Sequence, residues 1–136
     1  MGSRMDEAEL VAWGRALGET LPAGSVVWLE GDLGAGKTTL AKAIALGLGV
    51  KGATASPTYA LVHRYDGRRG PVHHVDCYRL KGADDGRDLD WEGLSAGDAL
   101  LIEWPDRAGL WALAPTVRVR LAHDADPAVR TMVVDR

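Results

Sequence analysis

The stretch that most constrains this chain is residues 26–39, VVWLEGDLGAGKTT, in which a short apolar run leads directly into a glycine-rich loop. Residues 31–38 match the pattern G-x-x-x-x-G-K-S/T at every position. Such a match is informative when a strand enters the loop and a helix leaves it, and both flanks are present here. The glycines let successive backbone N–H groups turn toward one anion, and the helix N-terminus points at the same place. The stretch therefore predicts a binding site for a nucleoside triphosphate.

The loop also predicts roles for individual residues. The residues expected to contact the nucleotide are Gly34, Ala35, Gly36, Lys37, Thr38 and Thr39. Lys37 is expected to neutralise charge on the outer phosphates, and the hydroxyl of Thr38 is expected to bind Mg²⁺. The alternative is a glycine-rich turn with a chance lysine, and the full match between a strand and a helix makes it the weaker interpretation.

Composition bounds the class of protein. A length of 136 residues suits one domain that buries ~68% of its unfolded surface. The net charge of −3 gives no overall attraction to nucleic acid or anionic lipid, although Arg64, Arg68 and Arg69 lie close together. The single cysteine, Cys77, excludes an internal disulfide, and no apolar run approaches the ~20 residues of a membrane span. We therefore expect a cytoplasmic protein with no membrane interaction.

Hydrophobic patterning predicts the fold class. Residues 1–5 lack an apolar run and are interpreted as an expression remnant or a disordered N-terminus, which leaves 6–136 as a single domain. Helical spacing predicts a first helix over 6–19, and 81–97 is polar with a short helix near 88–94. Strands are predicted over 25–30, 59–65, 71–76, 99–102, 116–121 and 131–135. Turn residues join the second to the third and the fifth to the sixth as hairpins. The expected fold is α/β, a P-loop NTPase-like three-layer fold whose mixed sheet carries antiparallel hairpins.

Two acidic residues are candidates for the catalytic machinery. Phosphoryl transfer needs a further carboxylate for Mg²⁺, usually at the end of an apolar strand beside the strand that enters the phosphate loop. Glu103 follows such a run at 100–102, and Asp76 follows the less apolar run 72–75. Either acid could instead be a solvated residue at a strand end. The predicted catalytic residues are Lys37, Asp76 and Glu103, and the sequence leaves open which acid orients the attacking water.

Three further residues carry weaker signals. Thr58 lies in a loop about twenty residues after Lys37, where switch loops occur, but the sequence alone favours a plain turn there. Trp104 follows Glu103 directly and is a second candidate switch residue. His74 and Asp76 point to the same face of a strand because side chains alternate. The two side chains could form a polar pair near the nucleotide. With equal weight, His74 could be a partly exposed residue on an edge strand.

Four segments together resemble the bacterial TsaE family. They are GDLGAGKTT at 31–39, SPTY at 56–59, HVDCYRL at 74–80 and IEWP at 102–105, and their order and spacing agree with the family over residues 5–111. The resemblance implies a small P-loop ATPase that is required for threonylcarbamoyladenosine modification of tRNA, with ATP and Mg²⁺ bound. It also implies TsaD and TsaB as partners, with tRNA reached through their complex.

The resemblance carries over to individual residues. It implies that residues 34–39 contact ATP, and that Thr38 and Glu103 bind Mg²⁺. Asp76 and the Thr58 loop resemble groups that the family needs for hydrolysis, Trp104 its motif tryptophan, and Arg130 an arginine near the family's C-terminus. A small-molecule kinase and a nucleotide-gated interaction module remain alternatives. The kinase would need a lid, for which only 81–97 is long enough, and a GTP switch would need an Asn-Lys-x-Asp motif, which the sequence lacks.

Overall fold

A computed structural model describes residues 2–51, 62–80 and 83–136 of the chain. Within these ranges the strands are β1 (Ser3–Asp6), β2 (Ser25–Gly31), β3 (Val62–Gly67), β4 (Gly70–Asp76), β5 (Ala99–Glu103), β6 (Val117–His123) and β7 (Val129–Asp135). The helices are α1 (Glu7–Thr20), α2 (Lys37–Gly47), α3 (Ala83–Arg87) and α4 (Trp91–Ser95), with a 3₁₀ segment at Pro105–Trp111.

The seven strands form one mixed sheet in the order β1-β7-β6-β2-β5-β4-β3. The four central strands β6, β2, β5 and β4 are parallel, whereas β7 and β3 pair antiparallel with β6 and β4. This arrangement confirms the predicted α/β class and the antiparallel hairpins on a parallel core. In open α/β sheets, ligands bind at the carboxyl ends of the parallel strands. The phosphate loop and both candidate acids therefore lie at the same edge.

Helices cover both faces of the sheet, which gives the three predicted layers. On one face α1 and α2 pack with a core cluster that includes Leu10, Ile44 and Leu101. On the other face α4 and the 3₁₀ segment pack with a second cluster that includes Trp91 and Ile102. All five residues of β5 are buried, as expected for a central parallel strand covered on both faces.

The first residues of the chain belong to the sheet. Residues 1–5 were expected to lie outside the fold, but Ser3 pairs with Met132 and Met5 with Arg130, so that β1 forms an edge strand against β7. Arg4 adds an ion pair to Asp124 at 3.0 Å. Residues 3–5 join the sheet through backbone pairing with β7 and not through buried side chains. Their sequence therefore shows no apolar alternation from which the strand could be predicted. That expectation is corrected for residues 3–5.

Other sequence predictions are adjusted in detail. Of the predicted strand 59–65, residues 62–65 lie in β3, whereas 59–61 and the Thr58 loop lie outside the described residues. The polar segment contains two short helices, α3 and α4, in place of one. None of the helices in the described ranges has both the length and the apolar character needed to cross a membrane.

The helix pair that supports the phosphate loop depends on two glycines. A methyl group at Gly18 of α1 would overlap the carbonyl oxygen of Ile44 and lie 2.9 Å from the Cα of Gly47 on α2. A methyl group at Gly47 would likewise lie 2.9 Å from the Cα of Gly18. The obstacles are backbone atoms, which cannot rotate away, so the two helices approach more closely than any side chain would allow.

We expect Gly18→Ala to destabilise the folded chain by about 2 kcal/mol, because overpacking a close contact typically costs 1–3 kcal/mol. The overpacking cost is taken at the upper end of that range, about 3 kcal/mol, because the obstacles are backbone atoms, and the gain of about 1 kcal/mol that alanine brings to a helix interior leaves a net loss of about 2 kcal/mol. Urea unfolding followed by tryptophan fluorescence measures the change. Glu19→Ala, at the exposed next position, is the control and should stay within about 0.5 kcal/mol of the unaltered chain. Equal or higher stability of Gly18→Ala would contradict the close helix crossing.

Candidate nucleotide site

The loop between β2 and α2 has the backbone geometry of an anion site. Gly34 and Gly36 have φ of 78° and 109°, in the left-handed region that side chains other than glycine rarely adopt. Gly36 directly precedes α2, and no side chain caps the first turn of this helix in the described structure. The first N–H groups of a helix have no partner inside the helix. Together with the positive end of the helix dipole they favour an anion at this point.

Lys37, the first residue of α2, lies under the loop that precedes it. Its side chain is only 5% exposed, and Nζ donates hydrogen bonds to the carbonyl oxygens of Gly31 at 2.5 Å and Asp32 at 2.8 Å. Nζ also lies 4.4 Å from the ring centroid of Trp104. Burial lowers the pKa of Lys37, and the carboxylates of Glu103, Asp76 and Asp32 oppose that shift. The ammonium group is therefore held at the floor of the site among carbonyl oxygens and acids.

Thr38 and Glu103, the two predicted Mg²⁺ ligands, lie against each other. The Thr38 hydroxyl is 3.1 Å from Oε1 and 3.3 Å from Oε2 of Glu103. Glu103 ends β5 opposite Leu29 of β2, so the parallel register carries its carboxylate to the phosphate loop. The carboxylate is 2% exposed. Burying a carboxylate costs free energy unless it has hydrogen-bonding partners, and the Thr38 hydroxyl is one such partner for Glu103.

His74 provides the second partner of Glu103. Nε2 of His74 lies 2.6 Å from Oε2 of Glu103, and both side chains are almost fully buried. The sequence suggested that His74 either pairs with Asp76 or is partly exposed on an edge strand. The exposed interpretation is wrong, because His74 is only 4% exposed. A polar pair does form at the site, but the acid that Nε2 of His74 contacts is Glu103 on the neighbouring strand.

Asp76 occupies a different environment from Glu103. It ends β4 directly opposite Glu103 of β5 and is half-buried. Its Oδ1 accepts a hydrogen bond from the backbone N–H of Tyr78 at 3.0 Å. The two acids thus stand side by side at the sheet edge, one enclosed by Thr38 and His74 and the other facing the cavity.

Cys77 takes no part in the chemistry of the site. Its side chain is fully buried. Burial, reinforced by the nearby carboxylate of Asp76, raises the pKa of the thiol to about 12. A thiol is nucleophilic as the thiolate, so Cys77 is an inert core residue at neutral pH.

The aromatic rings of Trp104 and Tyr78 line the site beside Lys37. Trp104 has φ 55° and ψ 51°, a left-handed conformation that is uncommon for a bulky residue. Its backbone N–H donates to the carbonyl oxygen of Leu29 at 3.3 Å, and its ring centroid lies 5.0 Å from that of Tyr78. Arg107 lies over both rings and donates to the carbonyl oxygen of Tyr78 at 3.1 Å. Sequence reasoning found Trp104 but missed Tyr78 and Arg107, which contact it only after the chain turns at Pro105.

Two residues from the β6–β7 hairpin reach the phosphate loop. Arg130 lies beside Gly36, where a Cβ would be 3.8 Å from the guanidinium carbon. Its Nε and Nη1 are buried, and neither has a hydrogen-bond partner among the residues that the structure describes. His123 Nε2 lies 2.9 Å from the carbonyl oxygen of Leu33. No local signal marks His123, because its contact depends on the position of β6 next to β2.

One cavity of about 270 Å³ collects most of these groups. Its lining residues are Leu33, Gly34, Gly36, Lys37, Thr38, Thr39, Asp76, Tyr78, Glu103, Trp104 and Arg130. Of the predicted nucleotide contacts, only Ala35 does not line the cavity, because its methyl group is buried in the core. Thr58 lies outside the described residues. The structure therefore brings Lys37, Thr38, Asp76 and Glu103 to one place.

Residues 4–132 match the family model described as threonylcarbamoyl adenosine biosynthesis protein TsaE. The chain belongs to the TsaE family. It is 42% identical over 106 residues to a tRNA threonylcarbamoyladenosine biosynthesis protein TsaE from Nostoc, and 46% identical over 94 residues to one from Streptomyces coelicolor. These matches cover 75% and 67% of this chain, but 65% and 64% of the two relatives, which is less than two thirds of their length.

A solved structure of the same architecture supports the family assignment. A crystal structure of Bacillus subtilis YdiB superposes with a TM-score of 0.74 and 26% identity, covering 98% of this chain and 84% of that one. The family match begins at residue 4, so it includes most of β1. The likeness thus extends over the whole sheet, including the edge strand that sequence reasoning excluded.

Proposed function

We propose that this chain binds ATP with Mg²⁺ and hydrolyses it slowly, in support of threonylcarbamoyladenosine modification of tRNA. Its partners in this proposal are TsaD and TsaB, and tRNA is reached through their complex in the cytoplasm. The observation that carries the proposal is the convergence of the phosphate loop, Lys37, the Thr38–Glu103 pair and Asp76 on one cavity. The names of the family and of its relatives supply the tRNA-modification context.

The donor set suits Mg²⁺ held together with a nucleotide. Mg²⁺ prefers oxygen ligands and is commonly bound by one or two protein groups plus substrate phosphates. Thr38 and Glu103 supply a hydroxyl and a carboxylate within 3.1 Å of each other. In the described chain no cluster of three or more His, Cys, Asp or Glu residues could hold a metal ion alone. This fits an ion that binds with ATP, where it would neutralise charge on the outer phosphates.

The protein residues would act through binding and orientation. The N–H groups of the phosphate loop and of the first turn of α2 would hold phosphate oxygens. Lys37 would exchange its contacts with Gly31 and Asp32 for the outer phosphates. Nε and Nη1 of Arg130 have no hydrogen-bond partner in the described structure, and this side chain would place a further positive charge beside Gly36.

The different surroundings of Glu103 and Asp76 would give the two acids different roles in metal binding and in orienting the attacking water. Glu103 is enclosed and bonded to Thr38 and His74, which suits a fixed metal ligand. Asp76 is half-buried on the cavity wall, which suits a group that accepts a hydrogen bond from the attacking water. We therefore assign the metal to Glu103 and the water to Asp76.

A small-molecule kinase and direct tRNA binding through Arg64, Arg68 and Arg69 receive no support from the described residues. The segment expected to supply a kinase lid contains α4, whose Trp91 and Leu94 are buried in the second core cluster. No described residue of that segment lines the cavity. Arg69 forms an ion pair with the buried Asp98, with 2.9 Å between Nη2 and Oδ1, so this arginine is held against the fold and contributes less to a tRNA-binding surface.

Nucleotide-dependent stabilisation tests the proposal. We expect Mg–ATP at one hundred times its Kd to raise the free energy of unfolding by about 2.7 kcal/mol, and GTP at the same concentration to raise it much less. The isolated chain should hydrolyse ATP at well below ~1 s⁻¹, and added TsaD and TsaB should accelerate it. Stabilisation by GTP but not ATP would reject ATP as the ligand. Turnover of ~1–100 s⁻¹ by the chain alone would reject the dependence on partners.

A further inference from the structure

The His74–Glu103 contact joins two residues from adjacent parallel strands on the face that carries α1 and α2. Nε2 of His74 is 2.6 Å from Oε2 of Glu103, and the two side chains are 5% and 3% exposed. In the register of β4 and β5, His74 lies opposite Leu101, two residues before Glu103. The imidazole therefore reaches along the strands toward the carboxyl edge to contact the carboxylate.

The main chain of Glu103 is already fixed by pairing on both sides, to Leu29 of β2 and Asp76 of β4. What remains to be set is the orientation of its side chain. Thr38 contacts both carboxylate oxygens from the phosphate loop, at 3.1 and 3.3 Å. Under the proposed function the Thr38 hydroxyl also serves the metal, so it cannot alone fix the carboxylate that shares that metal.

His74 is suited to that task because aromatic side chains of β3 restrict the movement of its ring. His63 of β3 pairs with His74 across the antiparallel ladder, and the two ring centroids are 6.1 Å apart. The His63 ring in turn stacks on Tyr65, at 5.9 Å between centroids and 15° between planes. These aromatic side chains restrict the movement of the His74 imidazole away from Glu103.

We propose that His74 is a positioning residue for the metal site: it binds Oε2 of Glu103 and thereby leaves Oε1, which lies 3.1 Å from the Thr38 hydroxyl, available to the metal. The proposal rests on the proposed function, since it takes Glu103 as the Mg²⁺ ligand. Groups that orient metal ligands commonly change metal affinity by about 10–100-fold when they are removed. His74 should therefore control metal binding while leaving the phosphate loop unaffected.

Mn²⁺ binding to the ADP complex, measured by electron paramagnetic resonance at fixed pH, tests this role without turnover. We expect His74→Leu to weaken Mn²⁺ binding by about 10–100-fold and to leave ADP affinity in EDTA within about twofold. His74→Gln, which places an amide nitrogen near the position of Nε2, should restore most of the affinity. His73→Leu is the matched control, because His73 is the neighbouring residue on the opposite face of β4 and should change neither value.

The outcomes separate this proposal from the one on which it rests. If the unaltered chain bound ADP no better with Mn²⁺ than in EDTA, the metal site and the role of His74 would both be rejected. Metal-dependent binding that His74→Leu leaves unchanged would reject His74 alone, as would a parallel loss of ADP affinity in EDTA. If His74→Leu does not fold, His74→Asn takes its place, because asparagine is too short to reach Glu103. Equal Mn²⁺ affinity in the Asn and Gln variants would then overturn the proposal.

Discussion

Lys37→Ala is expected to abolish the stabilisation of the chain by Mg–ATP and to weaken ATP binding by at least about 100-fold. Hydrogen bonds to charged groups contribute about 1.5–3 kcal/mol each, and two of them correspond to a factor of about 100 or more in Kd. The ammonium group already lies at the floor of the cavity, 2.5 and 2.8 Å from two loop carbonyl oxygens. It therefore needs only a short movement to reach a phosphate on the loop. Titration of ATP by calorimetry measures the loss.

A matched control separates this effect from a loss of positive charge on α2. Lys42→Ala removes an exposed lysine from the same helix and should leave ATP affinity within about twofold. Urea unfolding without nucleotide checks the fold, since the carbonyl groups of Gly31 and Asp32 lose a donor in Lys37→Ala. If Lys37→Ala bound ATP as tightly as the unaltered chain, the glycine-rich loop would not be the phosphate site, and the proposed function would fail.

The phosphate loop and the sheet core could be predicted because their signals are local. The pattern at 31–38 fixes a strand, a loop and a helix start within a few residues, and the apolar run before Glu103 marks a central strand. The expectation that a strand-end acid would lie beside the loop needed one further rule, that the metal-binding acid follows a strand adjacent to the loop strand. The pairing of β5 with β2 meets that condition.

The partners of the acids could not be predicted because they depend on register between distant strands. His74 and Glu103 are 29 positions apart, and their contact requires β4 to lie parallel to β5 in one alignment. A shift of one residue would turn His74 to the other face of the sheet. Spacing within a single strand pointed instead to Asp76, which shares a face with His74 but faces the cavity.

Contacts made by the β6–β7 hairpin were hidden for the same reason. His123 reaches the carbonyl oxygen of Leu33 across 90 positions, and Arg130 reaches Gly36 only because β7 lies beside β6. The left-handed backbone of Trp104 has no sequence signal either, since tryptophan disfavours that conformation. Hydrophobic patterning and turn residues thus predict the strands and helices. The side-chain contacts around the site depend on the order of the strands in the sheet.

The structure distinguishes the two acids, and paired substitutions should separate their roles. Glu103→Gln keeps the size of the side chain but removes the charge that Thr38 and His74 enclose. Metal ions contribute several kcal/mol to such reactions, so we expect hydrolysis to fall by about 100-fold or more. The Mg²⁺ concentration needed for half-maximal activity should also rise by about tenfold or more, because an amide oxygen is a weaker ligand than a carboxylate. Steady-state phosphate release over a Mg²⁺ series measures both quantities.

Asp76→Asn is the matched comparison, because it makes the same chemical change at the directly opposite position of β4. An amide is a poor proton acceptor, and loss of a positioned acid–base group typically costs 10²–10⁴-fold in rate. We therefore expect kcat to fall by about 100-fold while the Mg²⁺ dependence and ATP affinity stay within about threefold. The reverse result, with Mg²⁺ dependence altered in Asp76→Asn and retained in Glu103→Gln, would exchange the two assignments. The enclosure of Glu103 by Thr38 and His74 would then not be the mark of a metal ligand, because a buried carboxylate needs partners whether or not it binds a metal.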